Sequence, residues 1–334
     1  MITVMRLDPE QPRQLLEACP IYQPTPLNHY QIEGRNILIK DESQRMRLGA
    51  FKALGGVYAV AKLIESSIER PLRPQDYFTE TVKAHAQTLT FVCASAGNHG
   101  MAVAAGARLF GAKARIHLSD TVPETFSDRL KSLGAEVCRS GAHYEESILT
   151  AISDVNTTGA IHLADGSWAG YTEPPRLVME GYTIMAEEMR QSLEASGAWP
   201  SHVYLQAGVG GFAAAIAYMI RSNWAVQPKI IIVEPEAAPC LGQSTTQNMM
   251  TTVSGPVSTM GRLDCKTPSL LAFEILKTCA DQMITTTDAD AETAAIIAGK
   301  YGLPTTPSGA AGLAACLNAD AERPLIIISE NVLN

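Results

Sequence analysis

Residues 202–220 read HVYLQAGVGGFAAAIAYMI. The first five are a short apolar run of the kind that forms a strand buried on both faces. The last nine, from Phe212, are an Ala-rich helical stretch. Between them, Ala207-Gly208-Val209-Gly210-Gly211 makes the turn from strand to helix. Three glycines permit a nest of backbone N–H groups aimed at one anion, and the helix N-terminus adds its dipole. No Lys-Ser/Thr pair follows, so the loop is not a nucleotide P-loop. The spacing is not G-x-G-x-x-G either, so the fingerprint of a nicotinamide-dependent Rossmann enzyme is missing. A tight turn without any ligand explains the same residues.

The same alternation extends in both directions. Strands are predicted at Ile37–Lys40, Thr90–Ala94, Ala114–Leu118, Glu136–Arg139, Ile161–Leu163, His202–Gln206, Lys229–Val233 and Leu325–Ile328. Helices are predicted over Lys52–Ser66, Gly100–Phe110, Thr125–Leu133, Tyr144–Val155, Pro175–Leu193 and Phe212–Ser222. Strand–helix alternation implies an α/β chain whose sheets are mostly parallel and covered by helices. Residues 67–87 are polar and Pro-containing and read as a surface excursion. Residues 166–175 (GSWAGYTEPP) are turn-rich and separate two strand–helix arrays. Residues 55–165 are expected to form a smaller α/β domain, and 1–54 with 166–334 a larger one.

Composition bounds the function. The 334 residues are 46% hydrophobic and 18% charged, which excludes intrinsic disorder and suits about two domains. The formal charge of −8 gives no general attraction to nucleic acid or to an anionic membrane. Seven cysteines, an odd number with no C-x-x-C, argue against a disulfide framework or a zinc ribbon and for a reducing, cytoplasmic setting. The N-terminal MITVMRLDPEQP has no apolar core of a signal peptide, so none is expected.

Two further loops carry polar residues where strands end. In Ser95-Ala96-Gly97-Asn98-His99-Gly100, small residues and an amide open a helix. The backbone there can hold a carboxylate, or the segment can be a plain N-terminal cap. His99 reads either as a base or as a packed residue. In Ala50-Phe51-Lys52-Ala53-Leu54-Gly55-Gly56, the lysine is flanked by apolar residues. Desolvation would lower its pKa and make the amine nucleophilic, although a surface lysine lying along apolar neighbours is the commoner case.

The three loops in this order resemble the β-family, or fold type II, of pyridoxal-phosphate enzymes. The resemblance begins at Thr25-Pro26-Leu27. It continues through Ile39-Lys40-Asp41-Glu42, the Lys52 segment, residues 95–100 and 208–211, Glu234-Pro235 and Ile328-Ser329. Within that family the chain looks most like the 2,3-diaminopropionate ammonia-lyases. The similar segments are KDESQRMRLGAFKALGGVYA, Leu205–Gly210, Asp165-Gly-Ser-Trp168-Ala-Gly170-Tyr171 and Met179-Glu-Gly181-Tyr182.

The resemblance implies a two-domain fold type II enzyme with pyridoxal 5'-phosphate as cofactor, a small amino acid as substrate, and a homodimer. It implies Lys52 as the lysine that carries the cofactor. It implies Gly208, Val209, Gly210 and Gly211 as phosphate ligands, Asn98 at the ring hydroxyl and Ser329 at the pyridine nitrogen. Ser95, Ala96, Gly97 and His99 would form the substrate-carboxylate loop. Asp165 would serve the L-isomer, as base or as partner of the departing ammonium; its alternative is a turn cap. The implied reaction is α,β-elimination from L-2,3-diaminopropionate to pyruvate and ammonia. A serine/threonine or hydroxyaspartate dehydratase is the alternative, and a non-catalytic pyridoxal-phosphate or amino-acid binding protein is another.

Two positions depart from the family pattern. Ala96 stands where these lyases carry an aspartate that serves the D-isomer, which implies L-preference. Some relatives hold a divalent ion at E-P-x-x-A-x-D. Here the segment is Glu234-Pro-Glu-Ala-Ala238-Pro-Cys240, and a thiol is a poor ligand for a hard cation, so no metal is expected. Cys240 and Cys265 match cysteines of the lyases and are expected to remain thiols.

Overall fold

The computed structural model describes residues 6–332. Residues 1–5 of the N-terminal stretch, and the last two of the expected larger domain, lie outside the described residues. The elements in order are α1 (Glu10–Glu17), β1 (Leu27–Ile32), β2 (Arg35–Asp41), α2 (Lys52–Ile68), α3 (Glu80–Ala86), β3 (Thr90–Ala94), α4 (Asn98–Phe110), β4 (Lys113–Leu118), α5 (Glu124–Ser132), β5 (Glu136–Arg139), α6 (Tyr144–Thr158) and β6 (Ile161–His162). There follow α7 (Glu173–Ser196), β7 (His202–Gln206), α8 (Gly211–Asn223), β8 (Lys229–Pro235), α9 (Cys240–Gln247), α10 (Leu270–Cys279), β9 (Gln282–Thr286), α11 (Asp288–Lys300), α12 (Pro307–Leu317) and β10 (Pro324–Ile328).

Among the described residues these strands form two sheets. One has the order β1-β2-β10-β7-β8-β9, the other β5-β4-β3-β6. Every pairing is parallel except β1 with β2, where Leu27 faces Lys40 and Ile32 faces Arg35 across a hairpin. The parallel strands read as continuous apolar runs because helices cover both faces. All five residues of β10 (PLIII) are buried. The eight strands predicted from sequence are all present, with ends shifted by at most two residues.

Helix α2 ties the sheets' helical layers together. It packs on both α4 and α7, and two glycines near its N-terminus explain how closely. A Cβ on Gly55 would lie 2.5 Å from the Tyr182 ring and the Val178 carbonyl; one on Gly56 would lie 2.5 Å from Ala102 Cβ. Each glycine costs about 0.5–1 kcal/mol of helix propensity and in exchange lets three helices approach at the start of which Lys52 sits. Residues 67–87 are not simply the surface excursion that their polarity suggested. Tyr77, Val82 and Ala86 are buried, and the rings of Tyr77 and Phe78 lie 6.1 and 5.6 Å from Phe110. Charged residues between these anchors masked the amphipathic pattern.

A buried ion network fixes the loop between β2 and α2. Arg45 donates to both carboxylate oxygens of Glu42 (2.6 and 2.7 Å) and to both of Glu188 (2.8 and 2.7 Å); Lys40 reaches Glu188 at 2.5 Å. Arg45, Glu42 and Lys40 are at most 1% exposed. Burial lowers the Arg45 pKa, but the two carboxylates more than reverse that, so the guanidinium is charged. Met46 and Arg47 follow at φ of 48° and 60°, a left-handed conformation that the network holds in place. Glu188→Ala leaves the buried Lys40 ammonium with no carboxylate, while Arg45 keeps only Glu42. The expected cost is about 3–5 kcal/mol, to be read from chemical denaturation.

Candidate active site

Strand order alone brings the predicted loops together. β2, β10 and β7 are neighbours, so the segments leaving their carboxyl ends lie side by side: the loop to Lys52, then Ser329, then Gly208–Gly211. In the second sheet β3 and β6 are neighbours, and their ends supply Ser95–His99 and Asp165. Ligands of open α/β sheets bind at such carboxyl ends.

Lys52 opens α2, and its Nζ donates to Asp165 Oδ2. The two side chains are 21% and 27% exposed, so the pair faces an open cleft. The rings of Phe51 and Tyr182 lie 5.4 and 6.0 Å from the ammonium, and Phe51 in turn packs on Phe212 at 4.4 Å. These are the apolar neighbours expected from sequence, yet they do not leave the lysine with a lowered pKa. Burial pulls it down, but the Asp165 charge outweighs burial and holds the amine protonated. Reciprocally, burial would raise the Asp165 carboxyl, and the Lys52 charge holds it well below the usual carboxylate range. The Asp165 turn is stitched by Tyr171, whose hydroxyl donates to the His162 carbonyl (2.9 Å) and accepts from the Ala164 N–H (3.0 Å). Trp168 stacks on Tyr171 at 4.3 Å.

The Ser95–Gly100 loop borders the same cleft. A Cβ on Gly97 would meet nothing within 4 Å, whereas one on Gly100 would lie 2.2 Å from the Ser95 carbonyl. Ser95 and Ala96 are half-buried; Asn98 and His99 are buried. His99 Nε2 lies 2.8 Å from the Leu163 carbonyl, which can only accept, so the proton is on Nε2. Nδ1 is a buried lone pair without a partner. Burial lowers the ring's pKa, so it is a neutral histidine.

Gly208, Val209, Gly210 and Gly211 form the turn from β7 into α8. Gly210 has φ of 96°, and a Cβ there would lie 2.9 Å from Leu241. A Cβ on Gly208 would lie 2.9 Å from Cys265 Sγ. The first-turn N–H groups of α8 have no acceptors within the helix. Cys240 Sγ is 3.8 Å from the Gly208 carbonyl. Both cysteines are free, and burial pushes the Cys265 thiol up to about 11, so it stays protonated. Glu234 turns its carboxylate to the N–H groups of Leu241 (2.7 Å) and Gly242 (2.8 Å). Burial lifts its pKa to about 7 despite them. The carboxylate thus caps α9.

Several residues of the site were missed by sequence reading. Glu330, directly after Ser329, is 2% exposed. It accepts from Asn98 Nδ2 and from Thr306 Oγ1, and Arg262 Nε lies 3.0 Å away. A carboxylate ending an apolar strand was the available signal. Tyr182 Oη is buried without a partner beside Lys52, and Ser167 is latched to Ser269 at 2.7 Å. Ser329 itself is buried, and its carbonyl accepts from the Phe51 N–H at 3.1 Å, tying β10 to the start of α2.

The family profile described as pyridoxal-phosphate dependent enzyme matches residues 19–327. The diaminopropionate ammonia-lyase of Escherichia coli strain K12 is 33% identical over 315 residues, which take in 90% of this chain and 78% of the relative. The crystal structure of the holo diaminopropionate ammonia lyase from Escherichia coli superposes with a TM-score of 0.84 at 29% identity. That match covers 97% of this chain and 88% of the other. The same lyase in complex with D-serine matches at 0.84 and 28%, covering 98% and 90%. The donor set of the cleft fits pyridoxal phosphate. It offers an amine at Lys52, a glycine turn with free helix-start N–H groups for a dianion, and a buried, unpartnered amide oxygen, Asn98 Oδ1. On the profile, the relatives and this fit together, the chain belongs to the pyridoxal-phosphate dependent enzyme family.

Proposed function

We propose that the chain is a lyase that removes ammonia from L-2,3-diaminopropionate to give pyruvate. The observation that carries this is the Lys52–Asp165 pair: the cleft already holds an alkylammonium against Asp165. The β-ammonium of a diamino acid presents the same group. Pyridoxal phosphate, when bound, supplies the conjugated ring that takes up the electron pair left at Cα.

The chain's own residues do the rest. Lys52 would hold the cofactor through its amine, and when that amine is free it carries a proton at Nζ. Gly208, Val209, Gly210 and Gly211 hold the phosphate on backbone N–H groups. Asn98 meets the ring hydroxyl. Ser329 meets the ring nitrogen with a hydroxyl, which does not force that nitrogen to be protonated. Ser95, Ala96, Gly97 and His99 hold the substrate carboxylate at the start of α4. Asp165 holds the β-ammonium as it leaves. Residues 55–165 act as a domain that closes over the substrate.

A second reading rests on Ala96. With no carboxylate there, hydroxy amino acids compete as substrates, and the D-isomer has no base. Pyruvate release from L- and D-2,3-diaminopropionate and L-serine, each at several concentrations, separates these readings. The L-diamino acid is expected to lead in kcat/KM by about 100-fold. A lead for L-serine would establish the dehydratase instead.

The phosphate assignment has its own test. Gly210→Ala forces a side chain into a left-handed conformation and should weaken pyridoxal phosphate binding by about tenfold, measured by fluorescence titration. The free thiols and the absence, among the described residues, of any helix long and apolar enough to cross a membrane support a cytoplasmic location. The resemblance supports a homodimer, which sedimentation would test.

A further inference from the structure

Tyr182, on α7, is buried, and its hydroxyl has no hydrogen-bond partner. A buried polar group left unpaired is costly, so this oxygen calls for a partner. The ring is held in place. It meets the Phe51 ring edge-on at 5.1 Å, and a Cβ on Gly55 would lie 2.5 Å from its Cε1 and 2.8 Å from its Cζ. Gly55 follows Lys52 by one helical turn on α2, on the same face. The Lys52 Nζ accordingly lies 6.0 Å from the centre of the Tyr182 ring. Burial pushes the phenol up, against the pull of the Lys52 charge, so the oxygen is a neutral hydroxyl that can accept. The other titratable groups around the amine are Asp165 after β6, Cys265 ahead of α10, His99 on α4, Tyr144 at the start of α6 and Glu330 after β10. The ammonium has three N–H groups, and Asp165 Oδ2 takes one.

We propose that Tyr182 is a positioning residue whose hydroxyl accepts a hydrogen of the Lys52 ammonium while Asp165 is engaged by the substrate. This rests on the reading that Asp165 holds the departing β-ammonium. That group claims the carboxylate on which Lys52 otherwise rests. The freed amine then needs a second seat, and the fixed phenol oxygen offers one without competing for Asp165.

Tyr182→Phe removes the oxygen alone and keeps the ring that packs on Gly55 and Phe51. Two measurements test the proposal. The first is the rate at which the full-length chain, stripped of cofactor, takes up pyridoxal phosphate, followed by visible absorbance. In that step the neutral Lys52 amine adds to the cofactor aldehyde and water leaves, so whatever favours the ammonium slows uptake. With Asp165 in place, Tyr182→Phe should change the rate by less than about twofold. In an Asp165→Ala background, Tyr182→Phe should speed uptake about fivefold, the factor that one hydrogen bond commands. The second is kcat. Tyr182→Phe should cost about tenfold with L-2,3-diaminopropionate, and less than about threefold with β-chloro-L-alanine, which leaves Asp165 to Lys52. Equal losses on both substrates, or slower uptake in either background, would show a structural role and overturn the proposal. Unchanged uptake in the Asp165→Ala background would show that the hydroxyl does not reach the amine, and would overturn it too. A wild type that turns over β-chloro-L-alanine but not L-2,3-diaminopropionate would overturn the substrate reading and the proposal with it. Uptake needs no substrate, so it keeps the two failures apart.

Discussion

Lys52→Ala is expected to abolish pyruvate release, by at least about 10⁴-fold, and to leave pyridoxal phosphate removable by gel filtration. Two consequences of the structure lead there. The side chain provides the cleft's amine at the start of α2, between the Phe51 and Tyr182 rings. Its removal also leaves Asp165 without its cation. Burial then acts on that carboxyl with its main counterweight gone, and its pKa should rise from its present depressed value. Added methylamine should restore part of the turnover, because a free alkylammonium can occupy the vacated place beside Asp165. Retention of tightly bound cofactor together with wild-type turnover would remove Lys52 from the chemistry.

Asp165→Asn should separate the two tasks open to a carboxylate in this position. With L-2,3-diaminopropionate the loss in kcat should be about 10²–10⁴-fold. With β-chloro-L-alanine, whose chloride leaves without a proton or a counter-charge, the loss should be less than about tenfold, because the remaining machinery is intact. Asp165 already holds the Lys52 ammonium. A carboxylate so strongly stabilised as an anion is a weak base but a good seat for a departing ammonium. Equal losses on both substrates would instead assign Asp165 to the Cα proton.

Much of this site was legible in the sequence because its loops follow buried parallel strands, which announce themselves as short apolar runs. The segments VYLQ, FVCA and IIIS each end where a candidate loop begins, and VYLQ and IIIS are neighbours in one sheet. Less legible were the edges. β1 (LNHYQI) and β9 (QMITT) each have only one neighbour in the sheet, so their exposed residues broke the apolar run. From Glu236 to Pro324 no helix or strand was read. There α11 and α12 are dense in alanine and glycine, whose small side chains pack closely without marking a stripe.

The charge state of Lys52 also escaped the sequence. Its apolar neighbours in the chain pointed to a lowered pKa, but the decisive partner lies 113 residues away. Glu330 escaped for the same reason, since the polar contacts of its carboxyl come from α4, the loop between α9 and α10 and the turn before α12. Sequence placed the residues, and only the fold supplied their charges.

The most direct test of the account is the cofactor absorbance of the purified protein before and after addition of L-2,3-diaminopropionate, with pyruvate measured in the same cuvette. The account predicts that the cofactor band shifts on mixing and that pyruvate accumulates with ammonia at two per pyruvate. A cofactor-loaded protein whose spectrum does not respond to this amino acid, and which releases no pyruvate from it, would contradict it.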